Sequence, residues 1–219
     1  MNQFLRISEF YTSLQGEGKH AGLACFFIRT AGCDLRCSWC DTPQALKSSD
    51  GRWASLEELL GEIPDYVPLI QITGGEPLLQ KDRILTLTKV LSGSPHKKKV
   101  LLETGGHLSI DGIPSSVHIV MDVKLPDSGE DGHDFSRNFP HLKASDEIKF
   151  VLASRNDFNR ALEWIREYNL TDACQLLMSP VWGRLDIKEL ASWILEEKLR
   201  ARMQIQLHKY IWGANTQGV

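Results

Sequence analysis

Seven short β-rich runs, few amphipathic stretches between them, and unusual side chains gathered at the C-terminal ends of the runs predict an α/β fold. The expected architecture is a partial (incomplete) TIM-type β/α barrel of six core strands plus an extra C-terminal strand, with reduced helix content. Barrels of parallel strands carry their chemistry at that end. A doubly wound open sheet would place a ligand outside the same strand ends, but so few helices favour the partial barrel. At 219 residues the chain is read as one domain, 1–219, long enough to bury its own core without staples.

Residues 4–12 alternate loosely and run into Leu14-Gln15-Gly16-Glu17-Gly18, a turn with two glycines. Leu23 to Thr30 is the first core strand, apolar enough to be buried on both faces, and a cysteine-bearing loop follows it. Ser55-Leu56-Glu57-Glu58 is a capping box opening a short helix to about Gly61. Val67 to Ile72 is the second strand, ending in Thr73-Gly74-Gly75-Glu76-Pro77. A helix from about Asp82 to Leu91 sets Ile84, Leu87 and Leu91 on one face. Val100 to Leu102 is the third strand, ending in Glu103-Thr104-Gly105-Gly106. Val117 to Val123 is the fourth, ending at Lys124, and Glu147 to Leu152 the fifth. Ser154 caps an amphipathic helix to about Tyr168, with Phe158, Ala161, Leu162 and Ile165 inward. Cys174 to Met178 is the sixth strand, ending at Ser179-Pro180. Asp186 caps another helix with Ile187, Leu190 and Ile194 inward. Met203 to Leu207 is the extra strand, ending at His208. Residues 105–116 and 124–146 show no obvious helix. The polar stretch 127–134 lacks the spacing of a calcium loop and reads as a mobile, solvated loop.

A net charge of −3 and 42% hydrophobic residues describe an ordinary packed globule, and no basic face points to nucleic acid. Lys97-Lys98-Lys99 reads as a solvated loop. No apolar run approaches a membrane span. Met1 to Arg6 lacks the shape of a secretion signal, and clustered free thiols point to a reducing cytoplasm.

The five cysteines fall into two groups. Cys25 and Cys174 lie inside apolar runs and read as small buried hydrophobes. Cys33, Cys37 and Cys40, spaced C-x3-C-x2-C among Asp34, Arg36 and Asp41, do not. A closed zinc site needs four ligands, so zinc would require a distant fourth, a histidine or Cys174. A four-iron cubane is fully held by four cysteines. Three leave one iron open to bind something else, which disfavours a plain electron carrier.

The cysteine loop after the first strand and Gly74-Gly75-Glu76-Pro77 after the second resemble the radical S-adenosylmethionine superfamily. Gln15-Gly16-Glu17-Gly18, Cys40-Asp41-Thr42 and Gln206-Leu207-His208-Lys209-Tyr210 make the chain similar, within it, to the 7-carboxy-7-deazaguanine synthase family. That resemblance implies a lyase converting 6-carboxy-5,6,7,8-tetrahydropterin into 7-carboxy-7-deazaguanine, in 7-deazapurine (queuosine-type) biosynthesis. It implies one 4Fe–4S cluster on Cys33, Cys37 and Cys40, S-adenosyl-L-methionine, and Mg²⁺ on Thr42. Trp39, Cys40, Asp41, Gly74, Gly75, Glu76, Thr104, Asp122, Val123, Lys124 and Ser179 would bind the cofactor, with Gly74, Gly75 and Glu76 at its methionine ammonium. Gly105 stands where the family often has Ser or Asn, and Asp122 where its Ser-Pro-Lys ending has Ser. Leu14, Gln15, Gly16, Glu17, Arg29, Thr73, His208 and the Val219 carboxylate would bind the substrate. Glu17 would read the guanine-like ring edge and Arg29 the substrate carboxylate, through bidentate pairing. No residue is assigned as general acid or base. A reductase or flavodoxin-type electron donor and a homodimer are further implications. An activase for a glycyl-radical enzyme would use the same cysteine loop, and a non-catalytic zinc-stabilised module is the alternative from another class.

Overall fold

The computed structural model describes residues 4–93 and 98–219. Met1-Asn2-Gln3, and Lys97 of the cationic run with His96 before it, lie outside the described residues. Strand β1 (Phe4–Leu14) runs antiparallel to β2 (Ala24–Thr30), and β3 (Arg52–Ser55) runs antiparallel to β1 on its other side. Helix α1 (Leu56–Gly61) follows, and the Ser55 hydroxyl accepts the Glu58 amide at 3.0 Å, as a capping residue should. Then come β4 (Leu69–Gly74), α2 (Lys81–Ser92), β5 (Lys99–Thr104), β6 (His118–Val123), β7 (Glu147–Leu152), α3 (Arg155–Glu167), α4 (Leu170–Ala173), β8 (Gln175–Pro180), α5 (Ile187–Glu196), β9 (Arg202–Met203) and α6 (Leu207–Trp212).

The strands form one sheet in the order β3-β1-β2-β4-β5-β6-β7-β8-β9. From β2 onward every pairing is parallel. The six expected core strands are β2, β4, β5, β6, β7 and β8, with β9 as the extra one. Side chains alternate across the sheet, and the two faces differ in kind. One face carries Phe26, Ile28, Ile70, Ile72, Leu102, Met121, Val123, Ile148, Phe150 and Met178, packed in one core with Leu87, Phe158, Ile165 and Leu190 of the helices. Phe150 and Phe158 are fully buried, each contributing about 1.5–3 kcal/mol. The other face lines a lumen. Its floor is a small apolar plug of Cys25, Phe27, Leu69 and Leu101, with Tyr11 stacked on Phe27. Above the plug the same face turns polar: Gln71 and Thr73, Glu103, Asp122, and Lys149.

Residues 15–20 cross from β1 to the far side of this lumen. The Lys19 amide donates to Glu147 at 2.9 Å, the Gly18 amide to Gln204 at 2.6 Å, and the Leu207 amide to the Gly16 carbonyl at 3.1 Å. The sheet itself is open, with β3 and β9 at its edges, and this crossing turn bridges the gap.

Several expectations are corrected. The last strand is only Arg202–Met203. Gln204 makes one more ladder bond, its amide donating to the Met178 carbonyl at 2.9 Å, and then the neighbouring strand reaches Pro180, which has no amide to donate. The chain turns into α6, so His208 sits in a helix and not at a strand end. Ile187 is exposed rather than inward, while Leu190, Trp193 and Ile194 hold α5 to the core. Lys98 is no solvated residue: its ammonium binds the carbonyls of Pro64, Asp65 and Val67 within 2.9 Å. The stretch 127–134 clasps the cysteine loop. The Ser38 amide donates to the Ser128 carbonyl at 3.0 Å, the Ser38 hydroxyl to the Asp127 carbonyl at 2.8 Å, and the Arg36 amide to Glu130. Among the described residues no helix is long and apolar enough to cross a membrane.

Candidate active site

At the C-terminal ends of β2, β4, β5, β6 and β7 the lumen opens into a cavity of about 590 Å³. Residues 31–46 form its roof on one side. The Gly32 amide donates to the Ala45 carbonyl at 2.8 Å and the Cys33 amide to Leu46 at 3.0 Å, which folds this segment back on itself. The Gly74-Gly75-Glu76 turn packs directly beneath: a Cβ on Gly75 would lie 2.3 Å from the Gly32 carbonyl oxygen, so only glycine fits. The Glu76 amide donates to that same oxygen at 2.8 Å.

Cys33, Cys37 and Cys40 all line the cavity, and no other cysteine does. Burial pushes the Cys33 thiol up to about 11 and raises that of Cys37, where Lys124 works in the opposite direction. Cys174 lies just before β8, at the end of the sheet away from the loop, and Cys25 in the floor. Burial raises each of these thiols to about 12, so both are inert core residues and neither completes a site with the loop. Among the described residues no three His, Cys, Asp or Glu side chains form a ready-made centre for a single metal ion. The donor set of the loop is three soft thiols, which suits an iron–sulfur cluster.

Near the C-terminal ends of β6 and β8, two buried polar atoms of the luminal face lack hydrogen-bond partners. Asp122 Oδ1 is one; its Oδ2 takes Lys124 at 3.0 Å and Lys149 at 3.5 Å. Burial pushes the Asp122 carboxyl up, but these two cations outweigh it and hold it below the usual range. The other is Ser179 Oγ, which the register sets beside the cavity-lining Val151 although Ser179 itself is not in the cavity wall. An unpaired acceptor and an unpaired hydroxyl under the roof fit a ligand bearing hydroxyl groups, such as a nucleoside. The side chain of Val123, a residue expected at the cofactor, packs in the outer core because it alternates with Asp122, which leaves its backbone for any such contact.

Glu76, expected at the cofactor's ammonium, lines the cavity and already accepts three hydrogen bonds within the protein. One of its oxygens accepts the Leu78 amide at 2.9 Å and the Thr104 hydroxyl at 2.8 Å, and the other the Gly105 amide at 2.8 Å. The carboxylate is thus engaged by its own protein and ties the end of β4 to that of β5. Burial raises its affinity for a proton against those donors. A Cβ at Gly105 would meet Leu35 at 3.0 Å and both Glu76 and His107 at 3.2 Å, which explains the missing side chain there. His107 is buried, bonded through Nε2 to Asp34 at 2.8 Å.

The second half of the cavity is built around Glu17. It accepts from Gln206 at 2.9 Å, Gln204 at 3.1 Å and Lys149 at 3.1 Å. Gln15 is spent within the protein, on Gln71 and on the Glu17 amide. Arg29 is held by Glu9 at 2.8 Å and the Tyr11 hydroxyl at 2.9 Å, and its remaining nitrogen lies 3.5 Å from the Thr42 hydroxyl. Asp41 pairs with Lys209 at 3.0 Å; burial raises its carboxyl, but Lys209 and the Thr42 hydroxyl hold it far below the usual range. His208 packs against Gly16, and burial lowers its basicity against the pull of Glu17 and Asp41. Trp39 lies at the rim under the Arg184 guanidinium, 5.4 Å from its ring centre. Leu14, Thr73, Gly74, Thr104 and residues 214–219, Val219 included, complete the wall.

Sequence reasoning missed Lys149, Glu103, Gln71, Gln204 and Gln206. Lys149 is buried among Glu17, Glu103 and Asp122, and Glu103 also accepts from Gln71 at 2.6 Å. A signal existed: each of Gln71, Glu103 and Lys149 is a polar residue at an alternate position of an otherwise apolar run.

A partial β/α barrel with three cysteines of one short loop at its mouth defines a radical S-adenosylmethionine protein, and residues 27–118 match the family model described as Radical SAM superfamily. Near full-length relatives narrow the class. A 7-carboxy-7-deazaguanine synthase of Koribacter versatilis is 37% identical, covering 98% of this chain and 100% of its own. One from Chlorobaculum tepidum is 38% identical, covering 98% and 97%, and one from Methanospirillum hungatei 41%, covering 94% and 85%. The chain belongs to the 7-carboxy-7-deazaguanine synthase family. A crystal structure of QueE from Escherichia coli shares its fold, with a TM-score of 0.75 over 94% of this chain and 95% of that one, at 22% identity.

Proposed function

We propose that this chain converts 6-carboxy-5,6,7,8-tetrahydropterin into 7-carboxy-7-deazaguanine with release of ammonia, as a radical S-adenosylmethionine lyase. The observation that carries the proposal is that the three-cysteine loop and the Glu17–Arg29 set open into one cavity. The 4Fe–4S cluster and S-adenosylmethionine, when bound, supply a 5′-deoxyadenosyl radical able to take a hydrogen atom. The chain's own residues hold, orient and shield. Cys33, Cys37 and Cys40 carry the cluster, and the Gly74-Gly75 backbone, Asp122, Lys124 and Ser179 receive the cofactor. Glu17 accepts the paired N–H donors of the pterin edge by exchanging the amides of Gln204 and Gln206 for them. Arg29 presents the nitrogen that faces Thr42 to the substrate carboxylate. The Thr42 hydroxyl beside it would hold a Mg²⁺ ion, a hard cation that suits an oxygen donor next to a carboxylated substrate. His208 and residues 214–219 close the cavity against water. A reductase or flavodoxin-type donor, a homodimeric state and a cytoplasmic location are parts of the same proposal; free thiols suit a reducing compartment.

The test is an anaerobic assay of reconstituted, reduced protein with S-adenosylmethionine, Mg²⁺ and 6-carboxytetrahydropterin, products read by mass spectrometry. Formation of 7-carboxy-7-deazaguanine, lost in Cys37→Ala, is the expected result. Formation of 5′-deoxyadenosine with the pterin untouched would refute the substrate and favour an activase.

A further inference from the structure

Lys149 is the one ammonium in the described structure that three carboxylates from three separate segments approach within 4 Å. Glu17 comes from the turn after β1 at 3.1 Å, Glu103 from the end of β5, and Asp122 from β6 at 3.5 Å. Its side chain is only 6% exposed, and it rises from the middle of β7, so its reach is set by the sheet. Burial disfavours the ammonium, yet the three carboxylates overcome this and keep Lys149 cationic far above neutral pH. It is therefore a permanent charge and no proton carrier. A surface ion pair of this kind would be worth little; a buried one is costly to break, because the partners are left as unpaired charges.

The surroundings show what that charge does. The other ammonium groups lining the cavity are already committed, Lys124 to Asp122 at 3.0 Å and Lys209 to Asp41 at 3.0 Å. Gln71 and Gln204 are neutral. Without Lys149, the group of Glu17, Glu103 and Asp122 would hold three carboxylates against the single ammonium of Lys124. An anionic substrate entering toward Arg29 would meet that field, and Glu17 would keep only amide donors to fix its orientation. These amides come from residues 204–206, which belong to no strand or helix, whereas Lys149 is anchored in a central strand.

We propose that Lys149 is a positioning residue for substrate recognition: it orients Glu17 toward the pterin edge and offsets the carboxylates of Glu17, Glu103 and Asp122 so that a carboxylated pterin can enter. This rests on the substrate reading given above. Removing a group that acts in substrate capture and not in the radical step raises KM and spares kcat.

The experiment uses the reconstituted holoenzyme with 6-carboxytetrahydropterin varied at saturating S-adenosylmethionine. For Lys149→Gln the KM for the pterin rises by about tenfold or more while kcat stays within about threefold, and the Kd of S-adenosylmethionine is unchanged. Lys149→Arg, which keeps the charge, recovers most of the KM. If Lys149→Gln does not fold, the double variant Lys149→Gln/Glu103→Gln removes one charge of each sign, and its KM is compared with that of Glu103→Gln alone; the same tenfold rise is expected. An unchanged KM in either comparison overturns the inference. So does a parallel loss of kcat and S-adenosylmethionine binding that Lys149→Arg does not restore, since that is general damage. A wild-type holoenzyme that cleaves S-adenosylmethionine but never converts the pterin overturns the substrate reading itself, a result visible before any variant is made.

Discussion

Gly16 is where a single methyl group tests the geometry of the substrate half of the cavity. Its backbone is not in the left-handed region, so alanine carries no conformational strain there; the constraint is close approach. A Cβ at Gly16 would lie 2.4 Å from His208 Nδ1, 3.3 Å from Cγ and 3.4 Å from Cε1. Carbon contacts settle near about 3.5 Å, so the ring must withdraw by about 1 Å. His208 stands in the first turn of α6, whose start is tied to Gly16 by the Leu207 amide at 3.1 Å, so the ring cannot retreat without loosening that tie. A misplacement of about 1 Å at a positioned group costs about a hundredfold in rate, or about 2.7 kcal/mol. Gly16→Ala should thus lower kcat/KM for the pterin by about that factor, with S-adenosylmethionine affinity unchanged. Gly61→Ala, where a Cβ meets nothing within 4 Å, is the control. The decisive arm is the double variant with His208→Ala. Once the ring is gone the methyl has nothing to strike, so the two losses should fail to add. Additive losses, or full activity in Gly16→Ala, would refute the reasoning.

Three further outcomes follow from the same geometry. Glu76→Ala leaves the Leu78 and Gly105 amides and the Thr104 hydroxyl without their acceptor; at about 1–3 kcal/mol for each unsatisfied group, urea unfolding should register a loss of about 3 kcal/mol or more, and Glu76→Gln a smaller one. Glu130→Ala removes the acceptor of the Arg36 amide and loosens the clasp on the cysteine loop, so iron should pass to a chelator faster than from wild type, while thermal stability changes little; equal release rates would count against the clasp. Burial and the neighbouring Lys99 and His118 lower His20 to about 4, against about 6.5 in an unfolded chain. The folded state resists the proton that the unfolded state accepts, so stability from neutral His20 is full above pH 6.5 and is lost as pH falls toward 4. His20→Gln should flatten that part of a Tm-against-pH curve, and an unaltered slope would dismiss it.

How far the sequence reached depends on the range of the interaction. The core strands, the capped helices and the cysteine loop were legible because period, cap and spacing are local. Ser55, Ser154 and Asp186 all cap where expected, since each accepts an amide two or three residues on. Cys25 and Cys174 were read correctly as core for the same reason. Apart from Ile187, whose helix face is a local matter, what the chain does not show involves partners distant in it. Residues 127–134 look solvated by composition, and only the fold brings Asp127, Ser128 and Glu130 against residues 36–38. Met203 to Leu207 alternates like a strand, but Glu17 draws in Gln204 and Gln206, and Pro180 ends the ladder beside them. That Glu76 also ties Thr104 and Gly105 to the end of β4 is likewise invisible along the chain.

The sequence by itself determined the class of fold and the three-cysteine loop, because three cysteines within eight residues and the run Gly74-Gly75-Glu76-Pro77 are properties of short segments. The tertiary structure decided which polar residues share the cavity. Glu17, Glu103, Asp122 and Lys149 are up to 132 positions apart, and no pattern along the chain specifies that four strand-borne or turn-borne charges meet. That meeting depends on sheet order and on the parallel register that sets Asp122 beside Lys149. It follows from closing the sheet around a polar lumen, where a buried cation persists only in the company of its carboxylates.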